Sequence, residues 1–185
     1  GQAVPEAVRR AEAKGERREG PSSGLLEVES DESYRATGET GWVVDKNGKI
    51  VFTARGEKDF VFMGPETRPV LKDAVFTHNH PGGGTFSRTD GMFAAWGDVQ
   101  QIRVFGTSAR GKRVLYTMTR PPAGWPASEK MNGAYLRALK AATKRWAPKA
   151  LAGEVSSDDA FLGMREETWT MVAKRYGIRY ERKEL

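Results

Sequence analysis

The sequence predicts an α+β fold, α/β-like in its middle. A mixed, curved β-sheet carries a His-x-His strand, a helix follows the loop after it, and further helices close the chain. Three observations carry this expectation. Short apolar runs separated by Asn-Gly, Gly-Pro and Pro-Pro breaks fill much of residues 39–122, as strands with tight connections do. A helical spacing of apolar residues begins abruptly after Ser87. Two long stretches near the C-terminus then repeat apolar residues at helical intervals.

The elements follow in order. Residues 1–24 read as a flexible arm or linker: 5–19 are charged and alanine-rich without an apolar stripe, and Gly20-Pro21-Ser22-Ser23-Gly24 breaks any helix. Residues 25–122 read as the core. Trp42-Val43-Val44 and Ile50-Val51-Phe52 flank Asp45-Lys46-Asn47-Gly48, where Asn-Gly is a strong hairpin signal. Phe60-Val61-Phe62-Met63 reads as a third strand, stopped by Gly64-Pro65. Val70-Leu71 approaches the run Ala74-Val75-Phe76-Thr77-His78, whose near-continuous apolar character suits a strand buried on both faces.

The backbone must turn sharply at Pro81-Gly82-Gly83-Gly84, since proline fixes φ and glycine admits conformations other residues avoid. Ser87 then offers an N-cap, with Asp90 at the third helical position. Met92, Phe93, Ala95 and Trp96 continue at helical spacing, and 102–106 and 113–118 read as two more strands.

Residues 123–185 read as a helical extension packed on the core. One helix covers 129–148, with Met131, Tyr135, Leu139, Ala142 and Trp146 on one side. A second starts at Ser157, whose neighbours Asp158 and Asp159 suit a helix N-terminus; it carries Phe161, Met164, Val172 and Tyr176 and stops at Gly177. A last strand is expected at 178–180.

Composition narrows the function classes. The chain has 185 residues, room for one domain with a real core, and its 38% hydrophobic content favours a folded chain over a disordered one. It has no cysteine, which excludes disulfides, thiol catalysis, iron–sulfur clusters and cysteine-held zinc. Any metal must therefore be held by His, Asp or Glu. No apolar run approaches the roughly 20 residues of a membrane span. No signal peptide is visible, so the chain reads as cytoplasmic, or as delivered within a larger secreted or phage protein. It begins Gly1-Gln2-Ala3 without methionine, as a processed or excised piece would. Net charge is +6, and residues 130–185 hold twelve Lys and Arg against seven Asp and Glu. That basic region admits nucleic acid as a partner. The simpler reading is a helix packed on the sheet with its lysines in water. Oligomeric state is not specified.

The chemistry concentrates in one stretch. The chain has two histidines, His78 and His80, and strand geometry points residues i and i+2 to the same side. Both imidazoles can then approach one zinc ion (Zn2+), and Asp90, one helical turn after Ser87, is a suitable third ligand. Gly82-Gly83-Gly84 lacks the Gly-Lys-Ser/Thr ending of a phosphate-binding loop.

Thr77-His78-Asn79-His80-Pro81, with Ser87 and Asp90 downstream, resembles the JAMM signature of the JAB/MPN metalloproteases, most nearly the bacterial RadC-type and phage-associated branches. The resemblance spans roughly residues 36–120. It implies a zinc-dependent hydrolase of peptide or isopeptide bonds acting on a protein or peptide substrate. It implies His78, His80 and Asp90 as metal ligands and Ser87 as a donor to the oxyanion. It also implies a strand-borne glutamate that takes a proton from the attacking water and passes it to the leaving amine. Glu39, which opens the first β run, resembles that glutamate best; Glu57 and Glu66 are the alternatives. In one respect the chain departs from the family: residues 81–86 make the loop between His80 and Ser87 one residue shorter than usual. Two other readings stand beside this one. The first is a metal-independent nuclease or toxin domain of a larger secreted or phage-associated polypeptide, using His78 or His80 as acid–base groups. The second is an inactive MPN-like scaffold that binds a partner through its basic helix.

Overall fold

The computed structural model describes residues 38–56, 64–107 and 112–185. The expected arm at 1–24, the expected strand at 60–63 and Glu57 lie outside the described residues. Within them the fold is the mixed α/β arrangement expected: a six-stranded sheet in the order β2-β1-β3-β4-β5-β6, with four helices, the two longest near the C-terminus.

The first two strands are the expected hairpin. β1 (Thr40–Val44) and β2 (Ile50–Arg55) pair antiparallel, with a register shift between Val43 and Val44. Asp45 Oδ1 accepts the amides of Asn47 and Lys49, each at 2.9 Å, and Gly48 takes φ +80°. Those side-chain bonds close the loop without help from neighbouring elements.

A 3-10 turn at Pro65–Thr67 runs into the one-turn helix α1 (Arg68–Leu71), which buries Leu71. β3 (Val75–Asn79) is buried at every position, as the apolar run predicted. It lies antiparallel to β1 and parallel to β4 (Gln101–Thr107). A parallel pair needs a crossover, and helix α2 (Arg88–Gly97) provides it. β5 (Arg113–Thr119) returns antiparallel to β4.

Two left-handed residues frame the start of this crossover unit: Asp73 at φ +61° and Asp98 at φ +51°. Arg120 holds both. Its guanidinium donates to the Asp98 carbonyl at 2.8 Å, to Asp98 Oδ1 at 2.9 Å and to Asp73 Oδ1 at 2.5 Å. The ends feeding β3 and β4 are thereby pinned together.

Helix α3 (Ser128–Leu151) buries Met131, Ala134, Tyr135, Ala138 and Ala142, close to the expected stripe, and runs three residues further than expected. Helix α4 (Ser157–Tyr176) packs beside it. Trp146 sits where a side chain at Gly163 would collide, its ring 2.4 Å from the Cβ position, and donates to Glu167 Oε2 at 2.6 Å.

Of the residues read on α4, Val172 is buried and Phe161 is 51% exposed. The buried face is Ala160, Thr168, Trp169, Val172 and Ala173, and Phe161 lies about 100° round the helix from Ala160. Small residues around one large aromatic make this face.

β6 (Arg179–Glu184) pairs antiparallel with β5 and runs well past the three residues expected. As an edge strand it needs no apolar alternation, and its charged side chains are an ordinary edge device. The main core gathers Val43, Phe76, Ile102, Val104 and Met118 from the sheet with Phe86, Met131, Trp169 and Val172 from the covering segments. No helix among the described residues is long and apolar enough to cross a membrane.

Candidate metal centre

The centre is built at the C-terminal end of β3. His78 is fully buried, and its ring stacks on Phe76 with centroids 5.0 Å apart and planes 9° apart. Gly41, opposite His78 on β1, makes room: a Cβ there would stand 2.7 Å from the Phe76 ring. His80 lies just past the strand, but its N–H still donates to Phe105 O at 2.7 Å, which continues the ladder with β4. The strand alternation therefore persists through His80, and the two imidazole Nε2 atoms come within 3.2 Å.

The loop then folds back over β4. Gly83 and Gly84 take φ of +77° and +87°, and the Gly84 backbone lies so close to Gly106 that a Cβ on Gly106 would meet Gly84 O at 2.8 Å. Helix α4 fixes the next residues from outside: Arg165 donates to Thr85 O at 3.0 Å and Trp169 Nε1 to Phe86 O at 2.8 Å.

Ser87 caps α2 as expected. Its Oγ accepts the Asp90 amide at 3.2 Å, and Asp90 Oδ2 accepts the Ser87 amide at 2.5 Å. This reciprocal box fixes the Asp90 carboxylate. Oδ1 stands 3.3 Å from His78 Nε2, and Oδ2 stands 3.4 Å from His80 Nε2. The Gly-rich loop 81–86 therefore brings Asp90 to both rings.

Glu39 completes the group. It immediately precedes β1 and is 6% exposed, and one atom from each of Glu39, His78, His80 and Asp90 lies within 4.8 Å of the others. Glu66 sits exposed on the 3-10 turn, outside this group. Asn79, between the two histidines, holds the Glu39 segment from both sides. Its Oδ1 accepts the Thr40 amide at 2.6 Å, and its Nδ2 donates to Gly38 O at 3.1 Å. The sequence reading passed over Asn79, Trp169 and Arg165. Asn79 carried a signal of its own, since β alternation turns it away from the metal side and frees it to brace a neighbouring strand.

The spacing suits a metal ion. Donors at about 2.0–2.1 Å from a tetrahedral cation stand about 3.3 Å apart. The two ring nitrogens stand 3.2 Å apart, close to that figure, and each faces a different oxygen of the Asp90 carboxylate, at 3.3 and 3.4 Å. His78 Nδ1 is buried with no hydrogen-bond partner, so the ring is oriented by its stacking on Phe76 and not by a bond to Nδ1. The charges agree. Burial by itself would raise the Asp90 carboxyl, but the charges and hydrogen bonds of His78 and His80 hold it well below the usual carboxylate range. Burial disfavours the protonated His80 ring, but Asp90 and then Glu39 outweigh it and raise its pKa. Two ring nitrogens and two carboxylates facing one point require positive charge between them, as protons or as a cation.

The fold and the site together define a mixed α/β chain with a largely buried Glu39/His78/His80/Asp90 group that could bind a metal ion. Comparison with known protein families, characterised proteins and solved structures finds no match to this chain.

Proposed function

We propose that this chain is a zinc-dependent hydrolase of peptide or isopeptide bonds. The observation that carries the reading is the convergence of His78, His80 and Asp90, with Glu39 beside them, on one point. Two imidazoles and a carboxylate, with no sulfur donor, are a donor set of catalytic zinc, whose fourth position stays open for water or substrate. Bound zinc supplies a Lewis acid and lowers the pKa of water at the site to about 7.

The chain's own groups do the rest. His78, His80 and Asp90 hold the ion. Glu39 takes the proton of the attacking water and returns it to the leaving amine. The Ser87 hydroxyl accepts from Asp90 through its oxygen, which leaves its own proton to donate to the developing oxyanion. Asn79 keeps Glu39 in position through the backbone on either side of it.

The test is metal analysis of protein purified without added zinc, followed by cleavage of a peptide library by the wild type and by Glu39→Gln. One zinc per chain in both, with cleavage by the wild type alone, supports the proposal. A chain indifferent to chelator in both metal content and stability overturns it.

A further inference from the structure

Resting on the zinc-hydrolase reading, we infer that Arg165 is a specificity residue that receives a carboxylate of the substrate next to the scissile bond.

The centre meets solvent on one side. The His78 side chain has no exposed surface, whereas those of His80 and Asp90 are each 13% exposed. The segment joining these two residues is the loop that α4 covers, and Arg165 is the cation on that cover. One guanidinium nitrogen donates to Thr85 O at 3.0 Å. Another lies 3.8 Å from the Cβ position of Gly84, so the group reaches over the loop where glycine leaves space. The Phe161 ring, half exposed and unexplained by the core, lies 5.3 Å from the guanidinium carbon and limits its swing.

No acidic side chain among the described residues pairs with Arg165. Arg145, on the far part of the same helix pair, does have its carboxylate, Glu167. The guanidinium, held at Thr85 and set beside the Tyr135 hydroxyl, has more N–H donors than these two oxygens take up, and such a group suits a carboxylate. An acidic side chain and a free chain terminus present the same chemistry, and the experiment separates them.

Cobalt(II)-loaded protein is titrated with two matched pairs of hydroxamates, followed by the visible absorption of the metal. Succinic monohydroxamate against butyrohydroxamic acid tests a side-chain-like carboxylate. The hydroxamates of malonyl-glycine and malonyl-glycinamide test a chain-terminal one. The acid of at least one pair is expected to bind about tenfold more tightly than its neutral partner in the wild type. That ratio falls to near one in Arg165→Gln, which can still donate to Thr85, and is partly kept in Arg165→Lys. Equal binding within both pairs, or a preference that survives in Arg165→Gln, overturns the inference and leaves the metal reading intact. A chain that takes up no cobalt overturns both.

Discussion

Trp169 Nε1 donates to the carbonyl oxygen of Phe86 at 2.8 Å, joining residues 83 apart in the chain. Phe86 immediately precedes Ser87, so this bond ties the last helix to the N-cap that orients Asp90. Trp169→Phe keeps most of the buried ring but leaves the carbonyl without its donor. A loss of about 2–3 kcal/mol is expected in chemical denaturation. Zinc affinity should fall with it, because the cap is no longer held from outside. Unchanged stability and unchanged zinc affinity in this variant would separate α4 from the site.

Gly91 tests the same packing from the other side. A Cβ at this position would stand 2.1 Å from the Trp169 ring. Exposed helix positions gain about 1 kcal/mol on Gly→Ala. Here the collision with a fully buried indole outweighs that, so Gly91→Ala should lower the melting temperature, by about 1–3 kcal/mol in stability. A rise in melting temperature would show that the ring has room to give.

These relationships mark what was legible in the sequence. The capping pair Ser87 and Asp90 was readable because it spans three residues and depends on local geometry alone. The two histidines were readable for the same reason, two residues apart on a strand. Glu39 could be preferred only through the resemblance, which implies a strand-borne glutamate. What stayed hidden acts across the fold: Asn79 reaches 39 and 41 residues back, and Arg165 reaches 80 residues back to Thr85. The buried face of α4 stayed hidden because small residues make most of it. A periodic pattern sets a face only to within a residue or so, and one residue on a helix is about 100°.

Asn79 supports Glu39 without touching the reacting atoms, so its loss should be selective. Asn79→Ala leaves the Thr40 amide and the Gly38 carbonyl without their side-chain partner. His78, His80 and Asp90 keep their own supports in β4 and α2. Peptide hydrolysis should drop about 10–100-fold, in kcat more than in KM, while zinc stoichiometry stays at one per chain. Loss of zinc in step with activity would instead make Asn79 a support of the whole centre.

If the group holds zinc, stability becomes a function of free metal. Binding to the folded chain alone adds about 2.7 kcal/mol at a hundredfold excess over Kd. Chelator should lower the melting temperature of the wild type and leave Asp90→Ala nearly unaffected. Equal chelator shifts in the two proteins would place the metal elsewhere.

The metal-free protein should show a distinct dependence on pH. The folded-state pKa of His80 is raised, so its contribution is complete below the unfolded value of about 6.5 and is lost as pH rises through the folded value. Asp90 is depressed, so its contribution is present above about 3.9 and is lost as pH falls through the lower folded value. The pair therefore stabilises most between about pH 4 and pH 6.5. The melting temperature of chelator-treated protein should decline from pH 6 to pH 8.5 by a component that His80→Gln removes. Zinc reverses the sign of that component, because ligands must shed their protons to bind, so the loaded protein gains stability over the same interval. Parallel profiles for metal-free and zinc-treated protein would mean that His80 and Asp90 share a proton and never a cation.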